Sequence, residues 1–392
     1  MILFLIISIV GCQYSYDSSE HDNKINIETV APMINKIGEQ LDDTTKFTIS
    51  SFYTINVALA KKVDSVYDLL SITERAAQLI MQATSEYKSV GFPYKQVRAN
   101  VINKQIGGVL YLKGTTKTFS KNITELNELA SKNNMLPLIN SCDCEPTLFH
   151  KKFTDMDSVT AANEMVTNEL IDNGANIIST QMKKMGIQIN FAPIADIAYN
   201  QDIIKTRSFS ADPTEIVERA SRFVTTTQSL GIAATIKHFP GHGAVVGDSH
   251  KNLVFINGPL TEVNTFKSII AAANPIAVMV GHLAIENNPL YEPNVPATLS
   301  RKIITDLLKK EIGFKGIVVT DAMQMRAVAL IPNASWKALV AGADLIIIPM
   351  NVAALHNQIK KELTKKEGIL KKQFEASIKK IIRLKICTGL IK

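Results

Sequence analysis

The sequence predicts a (β/α)₈ barrel in a single catalytic domain. Three observations lead there. Eight short apolar, β-branched stretches alternate with amphipathic helical patterns across some 280 residues, about the size such a barrel takes. Charged and titratable residues recur at the C-terminal ends of those stretches. No G-x-G-x-x-G follows a strand, which argues against the rival, a doubly wound open sheet with a dinucleotide site.

The elements follow in order. Thr73 to Ile80 reads as a helix running into a first strand. Further strand-like runs are Ile106 to Leu112, Leu136 to Asn140, Ile187 to Ala192, Ile232 to Ile236, Ala277 to Val280, Gly316 to Thr320 and Asp344 to Ile348. Helical periodicity fills most of the intervals, as in Ser158 to Met185 and Pro213 to Leu230. In a barrel the strand C-termini converge on one mouth. The third strand ends at Asp143, the fourth in Ala192-Pro193-Ile194-Ala195-Asp196 with Arg207 on its loop, the fifth at Lys237 and His238. The sixth ends at Gly281-His282 and the seventh at Asp321. Any one of these could be a structural group, such as an Asp capping the next helix; their convergence points to a site.

The densest stretch is Ile232 to Lys251. A buried strand gives way at Lys237 and His238 to a loop that Pro240, Gly241 and Gly243 keep from being helical. Three of the chain's seven histidines lie between His238 and His250. His238 and His242 are four apart, but the intervening Pro240 and Gly241 deny them one helical face. A loop-borne zinc site with Asp248 and His250 is therefore the lesser reading. Asp248-Ser249-His250 reads better as an acid/base pair, a carboxylate two residues from an imidazole whose tautomer it can fix.

Lys-His-Phe-Pro-Gly-His-Gly followed by Asp-Ser-His resembles the signature of the β-N-acetylglucosaminidases of glycoside hydrolase family 3. The resemblance extends, with gaps, from about Leu70 to Met350. It implies that His250, oriented by Asp248, is the catalytic acid/base. Gly313-Phe314-Lys315-Gly316-Ile317-Val318-Val319-Thr320-Asp321-Ala322-Met323 is similar to the segment carrying the family's nucleophile, which implies that role for Asp321. Asp143, Arg207, Lys237 and His238 match positions that hold the hydroxyls of a terminal GlcNAc residue. Two departures stand out. Asp143 is followed by Cys-Glu-Pro-Thr where the family has Gln-Glu-Gly-Gly, and Ala322 replaces a second acid.

The resemblance implies a retaining exo-β-N-acetylglucosaminidase without metal or cofactor, acting on muropeptides or other GlcNAc-terminated oligosaccharides. A phosphorylase or β-glucosidase of the same family stays open, since a histidine acid/base, neutral when deprotonated, does not repel an anionic acceptor. The alternative from another class is a sugar-binding lipoprotein without catalysis, which would need no nucleophile at Asp321.

Met1 to Val10 is almost wholly apolar, and ten residues are half of what a membrane span requires. With Ile9-Val10-Gly11-Cys12 it resembles a bacterial lipoprotein signal, with Cys12 as the lipidated residue, residues 13–62 as tether and lead-in, and residues 63–392 as the barrel with basic C-terminal helices. The expected location is the cell envelope, anchored to the membrane by lipid. The net charge of +7, much of it in Lys360 to Lys392, lacks the aromatic interleaving of nucleic-acid binding. The other cysteines, Cys142, Cys144 and Cys387, imply no disulfide framework and read as small buried side chains.

Overall fold

The computed structural model describes residues 46–200, 203–245, 247 and 252–392. Eight parallel strands form one sheet: β1 (Ile80–Thr84), β2 (Gly108–Tyr111), β3 (Ile139–Cys142), β4 (Ile189–Asn190), β5 (Ala233–Phe239), β7 (Ala277–Val280), β9 (Ile317–Thr320) and β10 (Ile346–Ile347). Their order is β10-β1-β2-β3-β4-β5-β7-β9. The bridge Val319 to Leu345, with Thr320 N donating to Leu345 O at 3.1 Å, joins the last strand to the first and closes the barrel. Strands of small and β-branched residues suit this closure because both faces are covered, one by the interior and one by the helices.

Local chemistry sets the helix boundaries. Ser71 and Glu74 form a capping box at the start of Ile72–Ala77, leading into β1. Asp212 caps Pro213–Ser229, with Pro213 at the first helical position, where its missing N–H costs nothing. Asn168–Met185 is capped by Thr167 and ends at Gly186, whose φ of 85° is the left-handed stop that glycine accepts. This helix begins ten residues later than its apolar period predicts. Val159, Ala162 and Met165 do pack on the core, but from a loop with one 3₁₀ turn at Ala162–Glu164. Apolar spacing reports burial, and here burial is achieved without the helix. Once formed, the helix buries Ile171, Ile178, Met182 and Met185, each worth roughly 1.5–3 kcal/mol relative to exposure.

Two elements were not anticipated. β6 (Val254–Asn257) and β8 (Leu283–Glu286) pair in parallel as a separate ribbon beyond the ends of β5 and β7. The compact unit starts at Lys46, with Ile49 and Phe52 buried in the core and Val57–Leu69 helical. Arg383 on the C-terminal helix Ile369–Cys387 fastens this lead-in, donating to the carbonyls of Ser51, Phe52 and Thr54. Cys142, Cys144 and Cys387 are free and buried. Among the described residues no helix is long and apolar enough to cross a membrane.

Candidate active site

A cavity of about 190 Å³ opens at the C-terminal end of the strands. Asp143, Arg207, Lys237, His238 and Asp321, singled out from the sequence, all line it, together with Lys152 and His242. Four different parts of the barrel deliver the five predicted residues. Asp143 follows the last residue of β3, Arg207 sits in a 3₁₀ turn (Lys205–Arg207) after β4, and Lys237 and His238 lie within β5 itself. Asp321 is one residue beyond β9.

The charges on one side of the mouth are fully interlocked. Lys237 Nζ bonds to the carboxylate of Asp143 and lies 2.6 Å from Glu145 Oε1. Glu145 in turn receives Arg207 through both oxygens, Nε to Oε2 and Nη2 to Oε1, each at 2.7 Å. Lys152 Nζ adds a contact to Asp143 Oδ2 at 3.2 Å. Burial works against the charge of both acids, yet Lys237 and Lys152 hold Asp143 well below the usual carboxylate range. Arg207 and Lys237 do the same for Glu145. The effect is mutual: Asp143 and Glu145 raise Lys237 against its own desolvation.

A second buried acid organises the root of the histidine loop. Asp196, fully buried, accepts from His238 N (3.0 Å) and His242 N (2.8 Å) through Oδ1, and pairs with His238 Nδ1 (2.7 Å) through Oδ2. Those contacts place the Nδ1 proton of His238 on the Asp196 side of the ring. Glu262 Oε2 accepts from Ile197 N (2.8 Å) and Gly243 N (3.2 Å), and Oε1 from Ala244 N (2.9 Å). This clasp explains the glycine. A Cβ on Gly243 would stand 2.1 Å from Ile197 O and 2.7 Å from Glu262 Oε2. Burial, reinforced by Asp196, pushes Glu262 up to about 8 despite its three amide donors. Burial and neighbouring His238 lower His242.

Asp321 completes the mouth from β9. Its N–H bonds to Val280 O (3.0 Å), which fixes its backbone beside β7, and its Oδ1 accepts from Ala322 N (2.7 Å), which orients the carboxylate. Beneath it His282 spans from Thr298 Oγ1 (2.8 Å) to Ala322 O (3.0 Å), which braces the same turn. His282 is fully buried and does not line the cavity.

Asp248, His250 and Cys12 lie outside the described residues. Among the described residues no cluster of three or more His, Cys, Asp or Glu is arranged to hold a metal ion. Sequence reasoning missed Glu145, Lys152 and Glu262. Glu145 had a readable signal, as the one acid in Asp-Cys-Glu-Pro-Thr besides Asp143. Lys152, nine residues on, and Glu262, sixty-six residues beyond Asp196, offered none.

An eight-stranded parallel barrel with a charged, accessible mouth at its strand C-termini places the molecule among the (β/α)₈ barrel proteins. Residues 71–384 match the family model "Glycosyl hydrolase family 3 N terminal domain", and the chain belongs to that family. A protein of Vibrio cholerae serotype O1 named "Beta-hexosaminidase" is 32% identical over 219 residues, 52% of this chain and 64% of the relative. "Beta-hexosaminidase A" of Pseudoalteromonas piscicida is 32% identical over 196 residues, 45% of this chain and 33% of the relative. The matches thus span between a third and just under two thirds of these curated relatives. A solved family 3 β-N-acetylglucosaminidase from Paenibacillus sp. str. FPU-7 superposes with a TM-score of 0.71 at 26% identity, covering 82% of this chain and 63% of that one.

Proposed function

We propose that the chain is a retaining exo-β-N-acetylglucosaminidase that removes terminal non-reducing β-GlcNAc from muropeptides or GlcNAc oligosaccharides. The observation that carries the reading is that Asp321 lines the same cavity as Asp143, Arg207, Lys237 and His238. A carboxylate able to reach an anomeric carbon thus shares its space with a dense set of hydroxyl-binding groups. The names of the relatives support the choice of sugar.

In this mechanism Asp321 attacks C1 as the glycosidic bond breaks, forming a glycosyl ester. His250, protonated and held by Asp248, gives its proton to the departing oxygen. Neutral His250 then takes a proton from water as that water attacks C1 and displaces Asp321. Two inversions give net retention. The oxocarbenium character that develops at C1 is stabilised by the negative charge of Asp321.

Purified protein incubated with an aryl β-GlcNAc should release the phenol, and NMR should show the β-anomer of GlcNAc first. No release above an Asp321→Ala control would favour a sugar binder. A sugar alkoxide needs a proton to leave and a nitrophenolate does not. His250→Ala should therefore slow glycosylation of the enzyme by a natural disaccharide about 10²–10⁴-fold and by the activated substrate far less. Equal losses for both would remove His250 from the acid role.

The same proposal extends to location. Cys12 would carry the lipid that holds the enzyme to the cell envelope, supported by the apolar run and the Ile-Val-Gly-Cys box before it. Cys12→Ser should move the protein from the membrane to the soluble fraction. Unchanged membrane association would count against the anchor.

A further inference from the structure

Glu145 occupies an unusual place in the mouth. Its side chain is 1% exposed and does not line the cavity, so it cannot touch anything bound there. Yet it contacts two of the four residues placed on the sugar. A guanidinium has five N–H donors and an ammonium three. Arg207 spends two on Glu145 and one on Ile203 O at 3.2 Å, which leaves two for the cavity. Lys237 spends one on Glu145 and one on Asp143, which leaves one. Glu145 therefore determines the direction in which the remaining donors point.

The fold makes this carboxylate a junction of three strands. It comes from the loop after β3, Arg207 from the loop after β4, and Lys237 from β5. The loop that carries it is pinned beside Arg207. Thr147 Oγ1 donates to Thr206 O at 2.7 Å and accepts from Ala162 N at 3.0 Å. Pro146 opens the 3₁₀ turn Pro146–Leu148 between the two. Without Glu145, three cations, Arg207, Lys237 and Lys152, would face Asp143 alone, and their mutual repulsion would spread them apart.

We propose that Glu145 is a positioning residue for sugar binding: it sets the geometry of Arg207 and Lys237 without meeting the substrate. This rests on the reading of the mouth as a GlcNAc site. Glu145→Gln keeps the shape and removes the charge. Calorimetric titration of the purified full chain with GlcNAc should show affinity reduced by about 10–100-fold, the range seen when a partner that orients a metal ligand is lost, applied here by analogy to residues that bind a sugar. KM for the aryl glycoside should rise in step, with a smaller change in kcat. Glu145→Asp restores a carboxylate one methylene short and should recover part of the affinity. It also decides the matter if the glutamine variant does not fold.

A lowered melting temperature with unchanged GlcNAc affinity in the variant would overturn the proposal and leave Glu145 a structural ion pair. If wild-type protein neither bound GlcNAc nor cleaved the aryl glycoside, the reading of the mouth would fall and the inference with it.

Discussion

The two ends of the barrel both bury charge, and they bury it differently. At the mouth, Asp143, Glu145, Lys152, Lys237 and Arg207 form a chain of ion pairs around a cavity. At the N-terminal end, Asp344 is enclosed by Lys309 (3.0 Å), Lys380 (3.2 Å), Ser377 Oγ (2.6 Å) and Val318 N (2.8 Å). Burial opposes ionisation of Asp344, but Lys309 and Lys380 hold it down at about 2. No part of Asp344 lines the mouth cavity. Its partners use its oxygens up, whereas Asp143 stays a quarter exposed beside open space. Paired buried charge alone therefore does not mark a site. Access to the pair does.

The comparison is broken most directly by removing one carboxylate from each end. On the proposed mechanism Asp321→Ala should reduce turnover on the order of 10⁴–10⁶-fold, the scale of a lost nucleophile, with the melting temperature nearly unchanged. Asp344→Ala should do the reverse. It strands two lysines around a vacated buried position and should cost about 3–5 kcal/mol of stability, with kcat and KM of the surviving folded protein intact. Chemical denaturation and steady-state kinetics on both variants check the pair. Loss of activity in Asp344→Ala beyond its loss of folded protein would mean that the two ends are coupled.

How much of this difference was legible beforehand follows from what each end asks of the chain. The strands were visible because a doubly covered strand must be apolar along its length, and Ala277–Val280 was located to the residue. The mouth residues were visible because chemistry places charge where an apolar run stops, as at Asp143 and Asp321. The β6–β8 ribbon was not, since a four-residue strand such as Val254–Asn257, with its outer residues partly exposed, has no period distinct from a loop. Glu145 does not stand out in its motif, because an acid before proline in a loop reads as solvated. Its burial depends on Arg207 and Lys237, 62 and 92 positions away, and sequence spacing carries no sign of that. In the sequence Asp344 reads only as the edge of a strand, for the same reason. Thr147 stands where the family's paired glycines fall, and the structure supplies its use: a hydroxyl tie to Thr206 that glycine could not make.

The smallest effect, and the finest test of the comparison, concerns two lysines of equal burial. Lys237 at the mouth meets two carboxylates and is raised. Lys385 at the opposite end meets only neutral acceptors, Gln78 Oε1 at 2.6 Å and Gly107 O at 3.1 Å. Desolvation there lowers it to about 7 from the ordinary 10.5. Below about pH 7 both folded and unfolded chains carry the proton, and burying the charge destabilises the fold in full. Between about pH 7 and about pH 10.5 the unfolded chain binds more protons than the folded one, so this contribution to stability rises with pH. Lys385→Met removes that titration. The lost hydrogen bonds leave Gln78 and Gly107 unsatisfied, a cost that does not vary with pH. The difference in unfolding free energy, variant minus wild type, should therefore be most favourable to the variant near pH 7 and decline steadily toward pH 10. Lys237→Met should show no such slope over that window, because Lys237 remains charged in both states across nearly all of it. A flat difference for Lys385→Met would mean that Lys385 keeps its proton in the fold, held by Gln78 and Gly107 as firmly as Lys237 is held by its acids.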